Sequence, residues 1–250
     1  MRIARVQVEG NIYTARVDGE TVHLLEGDTF DRPVEMGRAV PLSQVRLLVP
    51  CVPTKVVAIG INYKSHAGER PAPGEPQGFL KAPSSLIAQG ESIVLPPDST
   101  NVHMEAEVVA VIGRRTRNVS ESDVDAYVFG YTAGNDVSER AWQQSDLQWL
   151  RAKSSDTFTA VGPWIETDLK PEAIHVAGRI SGRLQQESDT SLLIHPIRKC
   201  IAHISRYLTL EPGDLVFTGT PGQTAPIVDG DLCEVEVGGV GVLHNPVRRG

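Results

Sequence analysis

Two carboxylates stand in an otherwise apolar run, Glu105-Ala106-Glu107-Val108-Val109-Ala110-Val111-Ile112. Side chains alternate faces along a β-strand, so Glu105 and Glu107 project from one side, about 6–7 Å apart along the chain. Val108, Val109, Val111 and Ile112 mark the strand as part of a core, where unpaired carboxylates are costly. A hard cation held by oxygen ligands removes that cost. An edge strand with a wet face is the other reading, and it accounts for one Glu more readily than for two.

Other clusters have residue types suited to chemistry. Gly60-Ile61-Asn62-Tyr63-Lys64-Ser65-His66-Ala67-Gly68-Glu69 directly follows a short buried strand, where sites tend to sit. A helix over Lys64–Glu69 places His66 and Glu69 at i,i+3 on one face. A carboxylate beside an imidazole raises its basicity and orients it, which suits a general base acting on water. The same spacing fits a solvated surface turn. Gly130-Tyr131-Thr132-Ala133-Gly134-Asn135-Asp136 brings a short carboxylate to the end of a small-residue segment. Asp136 is either a third oxygen ligand for Mg²⁺ or Mn²⁺ or the cap of a helix starting near Val137. Lys153, in Arg151-Ala152-Lys153-Ser154-Ser155-Asp156-Thr157-Phe158, can pair with a substrate oxygen or lie solvated at the surface. The turn Phe217-Thr218-Gly219-Thr220-Pro221-Gly222 offers backbone N–H groups that can hold a carboxylate, or is a tight turn only.

The elements that must position these residues are mostly strands. Residues 2–8, 12–17 and 21–25 alternate between turns at Glu9-Gly10-Asn11 and Asp18-Gly19-Glu20, a small meander. Residues 26–50 read as irregular and end at Pro50, a domain boundary. Short strands are expected at 56–60, 79–80, 92–95, 105–112, 215–218, 231–237 and 241–243. A capped helix is expected from Ser120 to Val128. Ile197, Cys200, Ile201, Ile204 and Leu208 form the clearest helical stripe. Pro71, Pro73, Gly74, Pro76 and Gly78 exclude a helix between them. Strands outnumber helices without alternating with them, which favours a β-rich mixed fold over a doubly wound sheet or a TIM barrel.

Composition closes off several classes. The 250 residues suffice for one larger domain with a small appendage. A net charge of −7 argues against a nucleic-acid or anionic-membrane surface. No apolar stretch is long enough to span a bilayer, and Met1-Arg2-Ile3-Ala4 reads as a strand rather than a signal peptide. Cys51, Cys200 and Cys233 are far apart in apolar contexts and read as core packing, which predicts a reducing, cytoplasmic setting. Phosphate-loop, dinucleotide and nucleophile-elbow motifs are absent, and Gly238-Gly239-Val240-Gly241 has the wrong spacing. His175, His195, His203 and His244 show no zinc-ligand spacing, and His195 and His203 read as structural.

Taken together the clusters resemble the fumarylacetoacetate hydrolase superfamily over about Val56 to Val247. The matching segments keep the family's order: the Gly60–Glu69 stretch, Phe79-Leu80-Lys81, Glu105-Ala106-Glu107 with Val111-Ile112-Gly113, and Gly134-Asn135-Asp136-Val137-Ser138. Lys153–Phe158 with Gly162-Pro163, Pro212-Gly213-Asp214, Thr218-Gly219-Thr220-Pro221 and Asn245-Pro246-Val247 follow. The resemblance implies a β-rich α+β fold, a mixed β-sandwich roll over residues 51–250 with a small N-terminal β-domain over residues 1–50. It implies a homodimer and a divalent cation, Mg²⁺ or Mn²⁺, held by Glu105, Glu107 and Asp136. His66 and Glu69 would form a water-activating dyad on a lid segment, and Lys153 would support a developing oxyanion. Gln143, Thr220 and Arg140 would contact substrate. Asn62 stands near the position of a further acidic ligand in some members, and His103-Met104 departs from the residues common before Glu105.

The substrates implied are small 2-oxo acids, whose enolate a bound cation stabilises. The leading expectation is hydrolysis of a carbon–carbon bond in an acylpyruvate, with His66 and Glu69 activating water and Lys153 stabilising the oxyanion. Isomerisation of 2-hydroxyhepta-2,4-diene-1,7-dioate and decarboxylation of oxaloacetate use the same enolate. A metal-bound β-scaffold that binds a 2-oxo acid or a protein partner without turnover would need the carboxylates but not the dyad of His66 and Glu69.

Overall fold

The computed structural model describes all residues of the chain except Arg32 and Arg70. Among the described residues the strands form a twelve-stranded sheet, a five-stranded sheet and one two-stranded ribbon. The large sheet runs from the edge strand Val34–Pro41 through Thr21–Glu26, Asn11–Asp18 and Arg2–Val8 to Thr159–Glu166. It continues through Val128–Asp136, Ala106–Ile112, Leu215–Phe217 and Val56–Ile59 to the opposite edge at Gly78–Lys81. The smaller sheet orders Arg183–Asp189, His175–Ile180, Leu232–Val237, Gly241–Arg249 and Ile93–Leu95. The result is the β-rich mixed architecture expected from strands that do not alternate with helices.

The Ala106–Ile112 strand is buried along its whole length. Ala106, Val108, Ala110 and Ile112 face a core shared with Val176, Val235 and Leu243 of the smaller sheet. Val109 and Val111 face a second core with Val161, Ile165 and Phe217. Two covered faces explain why the run is nearly continuously apolar, as in any strand enclosed on both sides. Glu105 and Glu107 belong to the odd-numbered face at the end of the strand, where that second core gives way to a cavity.

The N-terminal meander has a small core of its own, built on Val6, Val17, Val22 and Leu24. Its first strand also pairs with the main sheet, Arg2 opposite Glu166 and Ile3 opposite Ile165. Cys51, Cys200 and Cys233 are free and buried, and burial pushes each thiol up to about 12. They pack rather than react.

Several local expectations are corrected. Residues 26–50 hold two strands, Val34–Pro41 and Arg46–Leu48, which the exposed face of an edge strand hides from any apolar pattern. Val128–Asp136, Thr159–Glu166, His175–Ile180 and Arg183–Asp189 are strands that glycine and polar residues disguised. The expected Ser120–Val128 helix is a 3₁₀ segment, Glu121–Ala126, before the Val128 strand begins. The helix of the His66 segment spans only Lys64–Ala67, because Gly68 leaves helical geometry at φ 60°. The long amphipathic helix read over Ile197–Leu208 forms over Ile197–Tyr207, and Leu208 caps it in an extended, exposed conformation.

Gly130 lies where the Val128–Asp136 strand meets Thr159–Glu166, and an added Cβ would stand 2.5 Å from the Glu166 carbonyl oxygen. Overpacking against backbone costs about 1–3 kcal/mol. Gly130→Ala is therefore expected to lower the urea midpoint by a corresponding amount, and an unchanged midpoint would refute this packing.

Candidate active site

Three carboxylates converge because two neighbouring strands are in register. Glu107 pairs with Gly134 and Ala106 with Asn135, so Glu105 lies opposite Asp136, whose amide donates to the Glu105 carbonyl at 3.0 Å. Cross-strand neighbours on one face are about 5 Å apart, closer than successive same-face residues on one strand. Ligand oxygens of Glu105, Glu107 and Asp136 accordingly lie within 4.8 Å of one another, all buried. Gly134 is required opposite Glu107, since a Cβ there would stand 2.5 Å from Phe217 and from Val109.

The helix-cap reading of Asp136 is excluded. Glu139 caps the Arg140–Ser145 helix instead, its carboxylate accepting from the Trp142 amide at 2.6 Å. Asp136 ends its strand with both oxygens engaged, Oδ2 by Lys153 Nζ at 2.6 Å and Oδ1 by Lys81 Nζ. Lys153 Nζ also reaches Glu105 Oε2 at 2.6 Å, and Arg140 Nη2 holds Glu105 Oε1. Lys153 is thus neither solvated nor free, but bridges two carboxylates.

These pairings set the charges. Burial raises the Glu105 carboxyl, but the charges of Lys153 and Arg140 outweigh it and hold the group well below the usual range. Burial lowers Lys153, and Asp136 and Glu105 outweigh that in turn. Among the described residues Glu107 receives only the Gly219 amide, at 2.7 Å, so burial and the neighbouring Asp136 and Glu105 charges push it well above its ordinary value. A site with surplus negative charge and hard oxygen donors suits a divalent cation such as Mg²⁺ or Mn²⁺.

The carboxylates open onto a cavity of about 500 Å³ that His66, Arg140, Gln143, Lys153 and Thr220 also line. His66 sits on its short helix with Nδ1 2.8 Å from the Gly222 carbonyl oxygen. A carbonyl only accepts, so Nδ1 carries the proton and a neutral ring leaves its Nε2 lone pair for a proton. Glu69 is not brought to His66: it is exposed beyond Gly68 and absent from the cavity lining. Gln143 is held by Arg140 Nη1 at 2.8 Å. The Thr220 hydroxyl donates to the Ala106 carbonyl at 2.9 Å and accepts from Gln186 Nε2 at 2.7 Å.

Two residues flagged around the site find their places. Asn62 cannot act as, or stand in for, a further ligand. Its amide donates to the carbonyls of His195 and Thr218 at 3.0 and 2.8 Å and accepts from the His195 amide at 2.8 Å, with no exposure. It clamps the Thr218–Gly219 turn, and Gly219, at φ 106°, would bring a Cβ to 2.7 Å from Asn62 Cβ. The glycine-rich turn does hold a carboxylate, but that carboxylate is Glu107. His103 joins the site indirectly. Arg140 Nη2 donates to the Thr224 hydroxyl at 2.7 Å, which lies 2.9 Å from His103 Nδ1, linking that imidazole to Glu105 through the guanidinium.

Sequence reasoning gave no role to Lys81, Asn135 or Gln186. The Asn135 side chain accepts from the Glu105 amide at 2.9 Å and that of Gln186 from the Ala106 amide at 3.0 Å. Their only signal is polarity inside apolar strands, which becomes meaningful once partners are known.

A family model for the fumarylacetoacetate hydrolase C-terminal domain matches residues 55–248. The chain belongs to this family. A second model, Rv2993c-like N-terminal, matches residues 1–50. Among the relatives of this family member, protein Rv2993c of Mycobacterium tuberculosis is 42% identical, covering 100% of this chain and 98% of its own. The structure of 5-carboxymethyl-2-hydroxymuconate delta-isomerase from Mycobacterium smegmatis matches at 40% identity and a TM-score of 0.95, with both chains covered 100%. Maleylpyruvate hydrolase from Sphingobium sp. SYK-6, in complex with manganese(II) and pyruvate, matches at 29% identity and a TM-score of 0.84, again with both chains covered 100%.

Mn²⁺ at about 100 times its dissociation constant is expected to stabilise the protein by about 2.7 kcal/mol, read as a rise in melting temperature. Glu107→Ala should abolish that rise; a variant stabilised as fully as the parent would exclude Glu107 as a ligand. Asn62→Ala leaves buried groups at His195 and Thr218 unpaired and should lower stability by about 1–3 kcal/mol in chemical denaturation.

Proposed function

We propose that this family member is a divalent-metal-dependent enzyme that transfers a proton to and from the enolate of a small 2-oxo acid, as an isomerase or tautomerase. The observation that carries the reading is the Glu105–Glu107–Asp136 group at one cavity with a single imidazole, His66, and a buried ammonium, Lys153. A divalent cation held by Glu105, Glu107 and Asp136 would supply the positive charge that favours the enolate form. His66 Nε2 takes the proton from the carbon beside the 2-oxo group and delivers it to the enolate oxygen in a tautomerisation, or to the far carbon of the conjugated system in an isomerisation, in the ring tautomer that the Gly222 carbonyl selects. Lys153 adds fixed positive charge next to the carboxylates. Phe79 and Trp149, edge to face at 5.2 Å, form an aromatic wall of the cavity. The family resemblance to an isomerase along the whole chain supports the same reading.

Hydrolysis of an acylpyruvate is the second reading, favoured by the likeness to maleylpyruvate hydrolase. It asks for an activated water and for Glu69 beside His66. Glu69 is exposed here, so hydrolysis requires residues 66–69 to rearrange, whereas proton transfer by His66 does not.

Mg²⁺-loaded protein should interconvert the enol and keto forms of oxaloacetate, or isomerise 2-hydroxyhepta-2,4-diene-1,7-dioate, followed by ultraviolet absorbance. His66→Ala should slow this about 10²–10⁴-fold while Mn²⁺ binding persists. Full activity in that variant would refute the role of His66. Glu69→Ala separates the two readings: proton transfer should survive it, and release of pyruvate from maleylpyruvate or acetylpyruvate should not. Pyruvate release without any proton transfer would put hydrolysis first.

A further inference from the structure

Lys81 is a lysine with 1% exposure at the end of the Gly78–Lys81 strand, opposite Val56. Its ammonium is surrounded by oxygen: Asp136 Oδ1 and the Lys153 carbonyl, each at 2.5 Å, and the Phe158 carbonyl at 3.1 Å. An ammonium has three protons, and these three acceptors use them all. The next residue extends the same attachment, since the Ala82 amide donates to Ser154 Oγ at 3.0 Å.

Asp136 therefore has two faces with different neighbours. Oδ2 meets Lys153, which lines the cavity, while Oδ1 meets Lys81, which lies behind the carboxylate and outside the cavity lining. A cation entering from the cavity must share or displace the Lys153 contacts. The Lys81 side chain is fully buried and outside that lining. One ammonium thus anchors both the carboxylate and the segment 153–158 that carries Lys153.

We infer that Lys81 is a positioning residue for the cation site, holding the Asp136 carboxylate and the Lys153–Phe158 turn in one fixed geometry through its buried ammonium. The inference rests on the reading of Asp136 as a metal ligand. Lys81 touches neither cavity nor substrate, so its effect passes through Asp136 and Lys153. Partners behind a metal ligand commonly change affinity about 10–100-fold when removed.

The test uses full-length protein with Mn²⁺ as the probe. Lys81→Met keeps the length and apolar stem but removes the charge. Folded Lys81→Met protein should bind Mn²⁺ about 10–100-fold more weakly by calorimetry. In metal-free protein, amide hydrogen exchange of residues 154–158 should accelerate, while exchange in the Ile197–Tyr207 helix stays unchanged. Lys81→Ala makes room for a small cation, and ammonium or methylammonium should restore Mn²⁺ affinity in it; this variant decides the matter where Lys81→Met does not fold. Unchanged Mn²⁺ affinity in Lys81→Met, or affinity lost without recovery in ammonium, would overturn the inference. If the parent protein itself binds no Mn²⁺, the metal reading of the carboxylates fails. The exchange of residues 154–158 then decides Lys81 alone, and unaltered exchange refutes it.

Discussion

Three buried carboxylates share one face of two strands because Glu107 pairs with Gly134 and Ala106 with Asn135. A slip of one residue in that pairing would send Asp136 to the opposite face and place a different residue beside Glu105. The apolar faces on either side prevent the slip, since alternate residues of Ala106–Ile112 belong to two separate cores. Packing of ordinary aliphatic side chains is thus what holds the charges together. Gly134 completes the register, because Phe217 and Val109 occupy the space a side chain would need.

Holding like charges together in a core requires compensation, and the chain provides it from distant segments. Lys81, Arg140 and Lys153 come from an edge strand and two short helices, and each places its charge on a carboxylate. Burial alone would neutralise such groups, and losing one partner of a buried pair is far more damaging than losing a surface pair. The compensation is uneven. Among the described residues Glu105 and Asp136 have ammonium or guanidinium partners, while Glu107 has a single backbone amide. That unevenness leaves one carboxyl on which added positive charge acts most strongly.

The parts that create chemistry differ from the parts that create order. Asn62 and Asn135 hydrogen-bond to backbone, and Gln186 to backbone and to the Thr220 hydroxyl, all buried and outside the cavity lining, fixing the turns that carry Gly219 and Thr220 and the start of the Glu105 strand. His66 stands on one helical turn between Tyr63 and Gly68, attached to the rest of the site by the Gly222 carbonyl. An imidazole on so short an element has few contacts fixing its place. The carboxylates, by contrast, are embedded in the central sheet.

The amino-acid sequence by itself determined the β-rich class, the strand with paired glutamates, the amphipathic helix over Ile197–Tyr207 and the packing role of the cysteines. Each is encoded locally, in a period of two or 3.6 residues or in the character of a few neighbours. Glu105, Glu107, Asp136, His66, Lys153, Gln143, Thr220 and Arg140 were all legible as candidates, and the cavity gathers them. Their partnerships were not legible. Strands such as Val128–Asp136 are read poorly because glycines there answer to close neighbours on other strands rather than to a local pattern. Whether Asp136 caps a helix or faces Glu105 depends on pairing with a strand some 30 residues away. Whether Lys81 and Lys153 are solvated or buried, and whether Glu69 meets His66, likewise depends on contacts distant in sequence. Only the tertiary structure decides these, because the energy of a charge is set by the groups that surround it in space, and no local period records them.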